Sequence, residues 1–341
     1  ALGWTDGNQG GYSEKSSMMS SVRNMVRGLP GTYKLRSAVL NRRFANSPKY
    51  SPDTVYHEPN FILKDFSGPA ITTVHDLSFI HYPQYHPKER VDWLTSQLPK
   101  TLKRADYILA DSDVVRHELI DRFNVSEDRV KTIYLGADGR FTPRTPDQVS
   151  EVLSSLGLVY KSYVLFVGTT EPRKGVDVLL DAWSALPEEL RKTFPLVIAG
   201  SSGWGNKALL SRIKSLHERG SICYLSYVPD NFLPALYAGA SVFSYPSIYE
   251  GFGLPVLEAM SSGVPVICRS GTSMAEFSQN GCMLCDTGEI DELTEKLLLT
   301  LESKERQDLY SKQSLDCAAQ YSWARCAQET SDIYRLVSSI N

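Results

Sequence analysis

The chain has 341 residues, of which 42% are hydrophobic and 22% charged, and a formal net charge of −3. That length is enough to bury two domains of roughly 150 residues each, and the composition excludes both a disordered chain and a membrane bundle. A slightly negative balance also excludes a general nucleic-acid binder, which needs a strong positive field.

The chain opens on a polar, glycine-rich stretch, Ala1 to Gly11, and no run of about 18 apolar residues occurs, so neither a signal peptide nor a spanning helix is expected. Six cysteines, Cys223, Cys268, Cys282, Cys285, Cys317 and Cys326, are scattered over the C-terminal half. A chain of this size needs no disulfide staples, which fits a reducing, cytoplasmic compartment. From Lys15 to Pro52 there are eight basic residues and no acidic one, which leaves −11 for the rest of the chain. This segment is either a solvated face or a contact for anionic lipid headgroups or a phosphorylated acceptor.

Gly10-Gly11-Tyr12 and a helical stretch from Ser16 to Val26 come first, with no apolar strand before them, so the first domain lacks its expected opening strand. Short β-rich runs then alternate with helical ones. Strands are predicted at Thr54 to His57, Ala70 to His75, Tyr107 to Ala110 and Val130 to Tyr134. A helix from Pro87 to Ala105 carries Val91, Leu94, Leu98 and Leu102 on one stripe, with a kink expected at Pro99. Another follows the Asp111-Ser112-Asp113 cap and runs to Phe123.

Asp138 to Val149, with Pro143 and Pro146, has the composition of a linker. Beyond it the alternation restarts. Strands are predicted at Tyr163 to Gly168, Leu196 to Gly200, Ile222 to Tyr227, Val242 to Tyr245 and Val264 to Cys268. Between them lie helices at Val176 to Leu186, Lys207 to Arg219, Phe232 to Ala238 and Pro255 to Ser261. The pattern is that of a doubly wound parallel sheet, and the tail from Ile290 reads as helical. The domains are therefore placed at 1–142, on the acceptor side, and 143–320, on the nucleotide side, with a helix at 321–341 crossing back. Cys282-Met-Leu-Cys285 sits in an apolar run after Gly281, and residues three apart on a strand point to opposite faces, so these thiols are read as packing groups rather than metal ligands.

The segment Ser247-Ile-Tyr-Glu250-Gly251-Phe252-Gly253-Leu254-Pro255-Val-Leu-Glu258 follows a strand, turns on two glycines and opens a helix. Free N–H groups and the helix dipole there favour a diphosphate, and glycines let a ligand approach the backbone. Glu250 and Glu258 are candidates for accepting hydrogen bonds from vicinal sugar hydroxyls; the competing reading is a capping carboxylate on a surface helix. Two basic residues, Arg173 and Lys174, stand before Gly175 at a predicted helix start, where cations are mildly unfavourable, and this raises the odds of an anionic ligand. His75 closes an apolar run at a strand end, either as a site residue or as a structural histidine.

The Glu250 segment resembles the Glu-x7-Glu signature of retaining glycosyltransferase family 4, whose members have the GT-B fold. Phe166-Val-Gly168-Thr169-Thr-Glu-Pro172-Arg173-Lys174-Gly175 resembles that family's phosphate-binding stretch. Thr72-Thr-Val-His75-Asp76-Leu is similar to its histidine-bearing loop, and the pattern as a whole is nearest the mannosyltransferase branch. The resemblance spans about Tyr56 to Val337 and implies an α/β chain of two Rossmann-like domains facing a cleft. It implies that Glu250 holds hydroxyls of the donor sugar and Glu258 the ribose hydroxyls, while Gly251, Phe252 and Gly253, with Leu254, line the sugar and phosphates. Arg173 and Lys174 would neutralise the leaving diphosphate beside Gly168 and Thr169, and His75 would bond the donor sugar from across the cleft. Gly10 and Gly11 resemble the family's N-terminal glycine loop. The family often has an arginine where this chain has Thr169, which shifts charge onto Arg173 and Lys174.

The function implied is retaining transfer of a hexose, mannose from GDP-mannose, to a saccharide or lipid-linked acceptor. No metal or other cofactor is expected, because no Asp-x-Asp doublet falls in an expected donor loop and the histidines show no ligand spacing. The alternatives are a GT-B nucleotide-sugar epimerase or hydrolase and a non-catalytic nucleotide-sugar-binding protein.

Overall fold

A computed structural model describes residues 54–203, 207–286 and 289–339, together with 35, 38, 39, 41 and 42. Gly10, Gly11 and nearly all of the basic segment lie outside the described residues. The chain divides into two compact units. One holds the described residues up to Asp111, Val115–Thr132 and those from Thr330 on; the other holds Ser112–Val114 and Ile133–Glu329.

The sheet of the first unit runs β1 (Tyr56–Glu58), β2 (Ala70–Val74), β3 (Tyr107–Ala110) and β4 (Val130–Thr132), neighbours in chain order and all parallel. β2 is buried along its whole length, as a strand covered on both faces must be. The connections include α1 (Ser78–His81), α2 (Lys88–Arg104) and α3 (Asp113–Phe123). α2 buries Leu94, Leu98, Thr101 and Leu102, close to the apolar stripe expected, and it continues through Pro99. Removing Leu98 fully from water stabilises the unit by about 1.5–3 kcal/mol before entropy is counted.

The second unit has α4 (Pro146–Ser155) and then a parallel sheet of β5 (Val164–Val167), β6 (Leu196–Ala199), β7 (Cys223–Ser226), β8 (Val242–Tyr245), β9 (Val266–Arg269) and β10 (Met283–Cys285). Its helices are α5 (Val176–Ala185), α6 (Glu188–Thr193), α7 (Lys207–Glu218), α8 (Leu233–Ala238), α9 (Leu254–Ser261), α10 (Ser273–Ser278), α11 (Ile290–Leu301) and α12 (Lys304–Ala318), and α13 (Trp323–Ser339) begins in this unit and belongs to the first from Thr330 on. Strand order is β10-β9-β8-β5-β6-β7, so the winding reverses between β5 and β8. Ligands of open parallel sheets sit at the carboxyl ends of the strands at such a reversal.

Two expectations are corrected. Asp138 to Val149 is not linker throughout, because α4 begins inside it. Its capping box joins Thr145 and Gln148, whose side chain accepts from Thr145 N at 2.9 Å, and Pro146 opens the helix, where its missing N–H costs nothing. The helix after Gly253 begins at Leu254 rather than Pro255, with proline in its second position. Among the described residues, no helix is long and apolar enough to cross a membrane. Cys282 and Cys285 are both buried.

Candidate active site

At the reversal, the loops after β5 and β8 are tied together. Gly175 has φ +68°, and a Cβ there would lie 2.5 Å from the Pro246 carbonyl oxygen, so only glycine permits this approach. The backbone N–H of Ile248 donates to Arg173 O at 2.9 Å, and the Ser247 hydroxyl reaches the same carbonyl at 3.1 Å. Arg173 and Lys174 are thereby delivered to Glu250, 76 positions along the chain from Lys174.

Lys174 Nζ donates to Glu250 Oε1 at 2.5 Å and to the Tyr245 hydroxyl at 2.7 Å. Ser247 Oγ donates to the same Glu250 oxygen at 2.7 Å, Tyr245 Oη lies 3.2 Å from it, and Arg173 Nη1 is 3.2 Å away. All these contacts fall on Oε1. Burial by itself pushes the Glu250 carboxyl up, but Lys174 and Arg173 outweigh it and hold the group below the ordinary carboxylate range. Arg173 also bonds Glu171 Oε2 at 3.2 Å and the Tyr249 carbonyl at 2.7 Å. The hydroxyl of Thr169 donates to Glu171 Oε1 at 3.1 Å, and Gly168 N donates to Ala199 O at 2.9 Å at the mouth of the strands.

Beyond Glu250 the chain turns into α9. Gly253 has φ +110°, and a Cβ there would meet Met274 Cγ at 2.5 Å. The N–H groups of Gly251, Phe252 and Gly253 make no hydrogen bond within the described chain. They sit at a helix start whose first residue is Leu254, so the turn carries unpaired donors directly after Glu250, the partner of both cations. The Phe252 ring is held from the other side by stacking on Phe277 at 4.5 Å, and Ser273 Oγ ties α10 to the turn through the carbonyls of Glu250 (2.7 Å) and Phe252 (3.0 Å).

Glu258 lies one turn into α9 among different neighbours. Burial pushes its carboxyl up to about 7; the Tyr237 hydroxyl and Arg140 pull the other way, while Asp138 and Asp230 add to the rise. The structure thus brings Glu250, Arg173 and Lys174 into one cluster and gives Glu258 a separate one.

In the first unit, His75 follows β2. Its Nδ1 is 2.8 Å from Asp111 Oδ2 and its Nε2 is 2.7 Å from the Pro59 carbonyl oxygen. Two acceptors flank the ring, and the hydrogen bond it donates to Asp111 in particular raises the His75 pKa against the effect of burial. The side chain is 42% exposed, so it is not a buried structural histidine. His57 is nearby in the same sheet, between Thr73 Oγ1 at 2.8 Å and Tyr334 Oη at 2.7 Å, and burial lowers its pKa.

The family description "Glycosyltransferase Family 4" matches residues 20–140 and "Glycosyl transferases group 1" matches residues 156–315. The chain is 40% identical over 296 residues to the O-antigen chain mannosyltransferase B of Escherichia coli, covering 87% of this chain and 78% of that one. The chain belongs to glycosyltransferase family 4. It is also 29% identical over 233 residues to the serotype-specific mannosyltransferase WbdA of Escherichia coli, where the match spans 66% of this chain and only 28% of that longer protein. The crystal structure of Anabaena Alr3699/HepE in complex with UDP and glucose superimposes with a TM-score of 0.66 at 21% identity, over 78% of this chain and 71% of that one. That likeness establishes the GT-B fold, with its two Rossmann-like domains.

In this family 4 glycosyltransferase, sequence reasoning passed over Tyr245 and Glu171. Tyr245 read only as the last residue of a strand, and its fifth-place spacing from Glu250 was the available signal. Glu171 lay inside the quoted phosphate-binding stretch without a role. Among the described residues, no group of three or more His, Cys, Asp or Glu side chains is placed to share a metal ion.

Proposed function

We propose that this glycosyltransferase moves mannose from GDP-mannose to a saccharide or lipid-linked saccharide with retention of configuration. The observation that carries the reading is the Glu250–Lys174–Arg173 cluster beside the unpaired N–H groups of Gly251, Phe252 and Gly253. Two cations and a helix start favour a departing diphosphate, and the uncommitted side of Glu250 suits sugar hydroxyls. The mannosyltransferase names of the Escherichia coli relatives support the sugar, and the UDP in the Anabaena structure supports a nucleotide-bound donor.

In this reading Lys174 and Arg173 stabilise charge on the diphosphate near Gly168, Thr169 and Leu254 as its bond to the sugar C1 breaks. The acceptor oxygen attacks C1 from the same face, and its proton passes to a diphosphate oxygen. Glu258 accepts from the ribose hydroxyls. His75 keeps Asp111 and exchanges the Pro59 carbonyl for a sugar hydroxyl, and Gly10 and Gly11 contribute to the donor's surroundings. No metal takes part, since the basic pair supplies the positive charge. The basic segment between Lys15 and Pro52 docks the protein on an anionic membrane surface near a lipid-linked acceptor.

The test is product analysis with GDP-mannose and other nucleotide-sugars, with and without EDTA, using NMR to read the new anomeric bond. Retained-configuration mannosyl transfer that survives EDTA is expected. Donor cleavage without transfer favours the hydrolase or epimerase reading, and binding without turnover favours the non-catalytic one. Sedimentation with anionic and neutral vesicles checks the membrane contact, which requires binding to the anionic vesicles alone, lost as salt rises.

A further inference from the structure

Tyr245 is the last residue of β8 and is fully buried. Its ring is stacked between Phe166 (centroids 5.3 Å apart, planes at 15°) and Phe243 (5.8 Å, 14°), so the side chain has no freedom to swing. Two of the three rings in this column are phenylalanines, which shows that packing here asks only for an aromatic ring. A buried hydroxyl is costly unless it is hydrogen-bonded, so the oxygen that distinguishes Tyr245 must answer to something else.

That oxygen is spent on the site. Lys174 Nζ donates to it at 2.7 Å, Glu250 Oε1 lies 3.2 Å from it, and the ring centroid is 5.3 Å from the same Nζ. A Cβ on Gly168 would lie 3.5 Å from the hydroxyl, which therefore sits against the glycine that follows β5. The phenol donates its one proton to the carboxylate and accepts from the ammonium. Burial, with Glu250 beside it, pushes the phenol well above its usual range and keeps that proton in place.

The two partners of Lys174 act differently on it. Glu250 neutralises the ammonium, and an ion pair alone would draw it away from an incoming phosphate. Tyr245 fixes its position with a neutral oxygen and a π face and leaves the positive charge available. We infer that Tyr245 is a positioning residue for sugar transfer, holding the Lys174 ammonium at the mouth of β5 and β8 so that it meets the leaving diphosphate. The inference rests on the proposed function, and it adds a residue with no contact to the substrate.

A double-mutant cycle tests it. Tyr245→Phe keeps the ring column and removes only the oxygen. It should lower kcat about tenfold and leave the donor KM within about twofold, because a misaimed cation loses stabilisation of the transition state more than ground-state binding. In a Lys174→Ala background the same change should cost less than about twofold, since its target is gone. Circular dichroism fixes a temperature at which all four proteins are folded, and the cycle is run there. A Tyr245→Phe enzyme with wild-type kcat, or an equal loss in both backgrounds, overturns the role of Tyr245 while leaving the function standing. A wild-type chain that neither transfers from nor hydrolyses any nucleotide-sugar overturns the function and this inference with it.

Discussion

Glu250 stands before the turn into α9 and Glu258 within that helix, yet their surroundings push their carboxyls in opposite directions. Glu250 has two cations on a single oxygen and stays ionised despite its burial. Glu258 is half-buried, and the Tyr237 hydroxyl and Arg140 do not offset desolvation, Asp138 and Asp230, so its carboxyl rises to about 7. Identical side chains eight positions apart therefore have different charges near neutrality, and the difference comes from residues far away in sequence. The spacing of the motif places the carboxylates; other segments of the chain decide what each one does.

The sharpest way to break the comparison is to neutralise each carboxylate in turn. Glu250→Gln removes the charge that organises Lys174 and Arg173 and should reduce transfer by about 100-fold or more, as should Lys174→Ala. Purified Glu250→Gln with near-normal turnover removes Glu250 from the reaction. Glu258→Ala should instead weaken nucleoside diphosphate binding by about tenfold, read by calorimetry, with a smaller effect on the rate at saturating donor.

The finest test uses pH. In the folded chain Glu258 holds its proton up to about 7, against 4.5 for an ordinary glutamate. The folded state therefore binds more protons than the unfolded one across that interval, so this group's contribution to stability is full below pH 4.5 and is lost as pH rises toward 7. Glu258→Gln should flatten that part of the Tm–pH curve. A ribose hydroxyl needs the ionised acceptor, so nucleotide affinity should rise through pH 7 in the wild type more steeply than in the variant. Parallel slopes would show that Glu258 does not titrate in this interval.

The sheets were largely legible because buried parallel strands are continuous apolar runs. β3 and β8 coincide with the runs Tyr107 to Ala110 and Val242 to Tyr245, and the other read strands differ by a residue or a few at their ends. α4 was misread because Pro146 signals both a linker and a helix start, and only the reciprocal Thr145–Gln148 bonds separate the two. Short helices such as α6 and α10 are too brief to show a period. In the site, residue types and turns were readable, and the glycines and basic pair were found from local chemistry. The convergence of Lys174, Tyr245 and Glu250 was not readable, because it depends on the reversal between β5 and β8. The second environment of Glu258 was hidden for the same reason, since Arg140 and Tyr237 reach it from other segments.

The approach of Gly175 to Pro246 has a consequence for how such proteins diversify. With a backbone atom filling the space where any side chain would begin, the loop after β5 and the loop after β8 behave as a single moulded part cut into two stretches of sequence. A chimera that imports one stretch from a relative and keeps the other would join halves shaped for different partners. Exchange of specificity between relatives must therefore carry both stretches at once, and drift in either is constrained by the other.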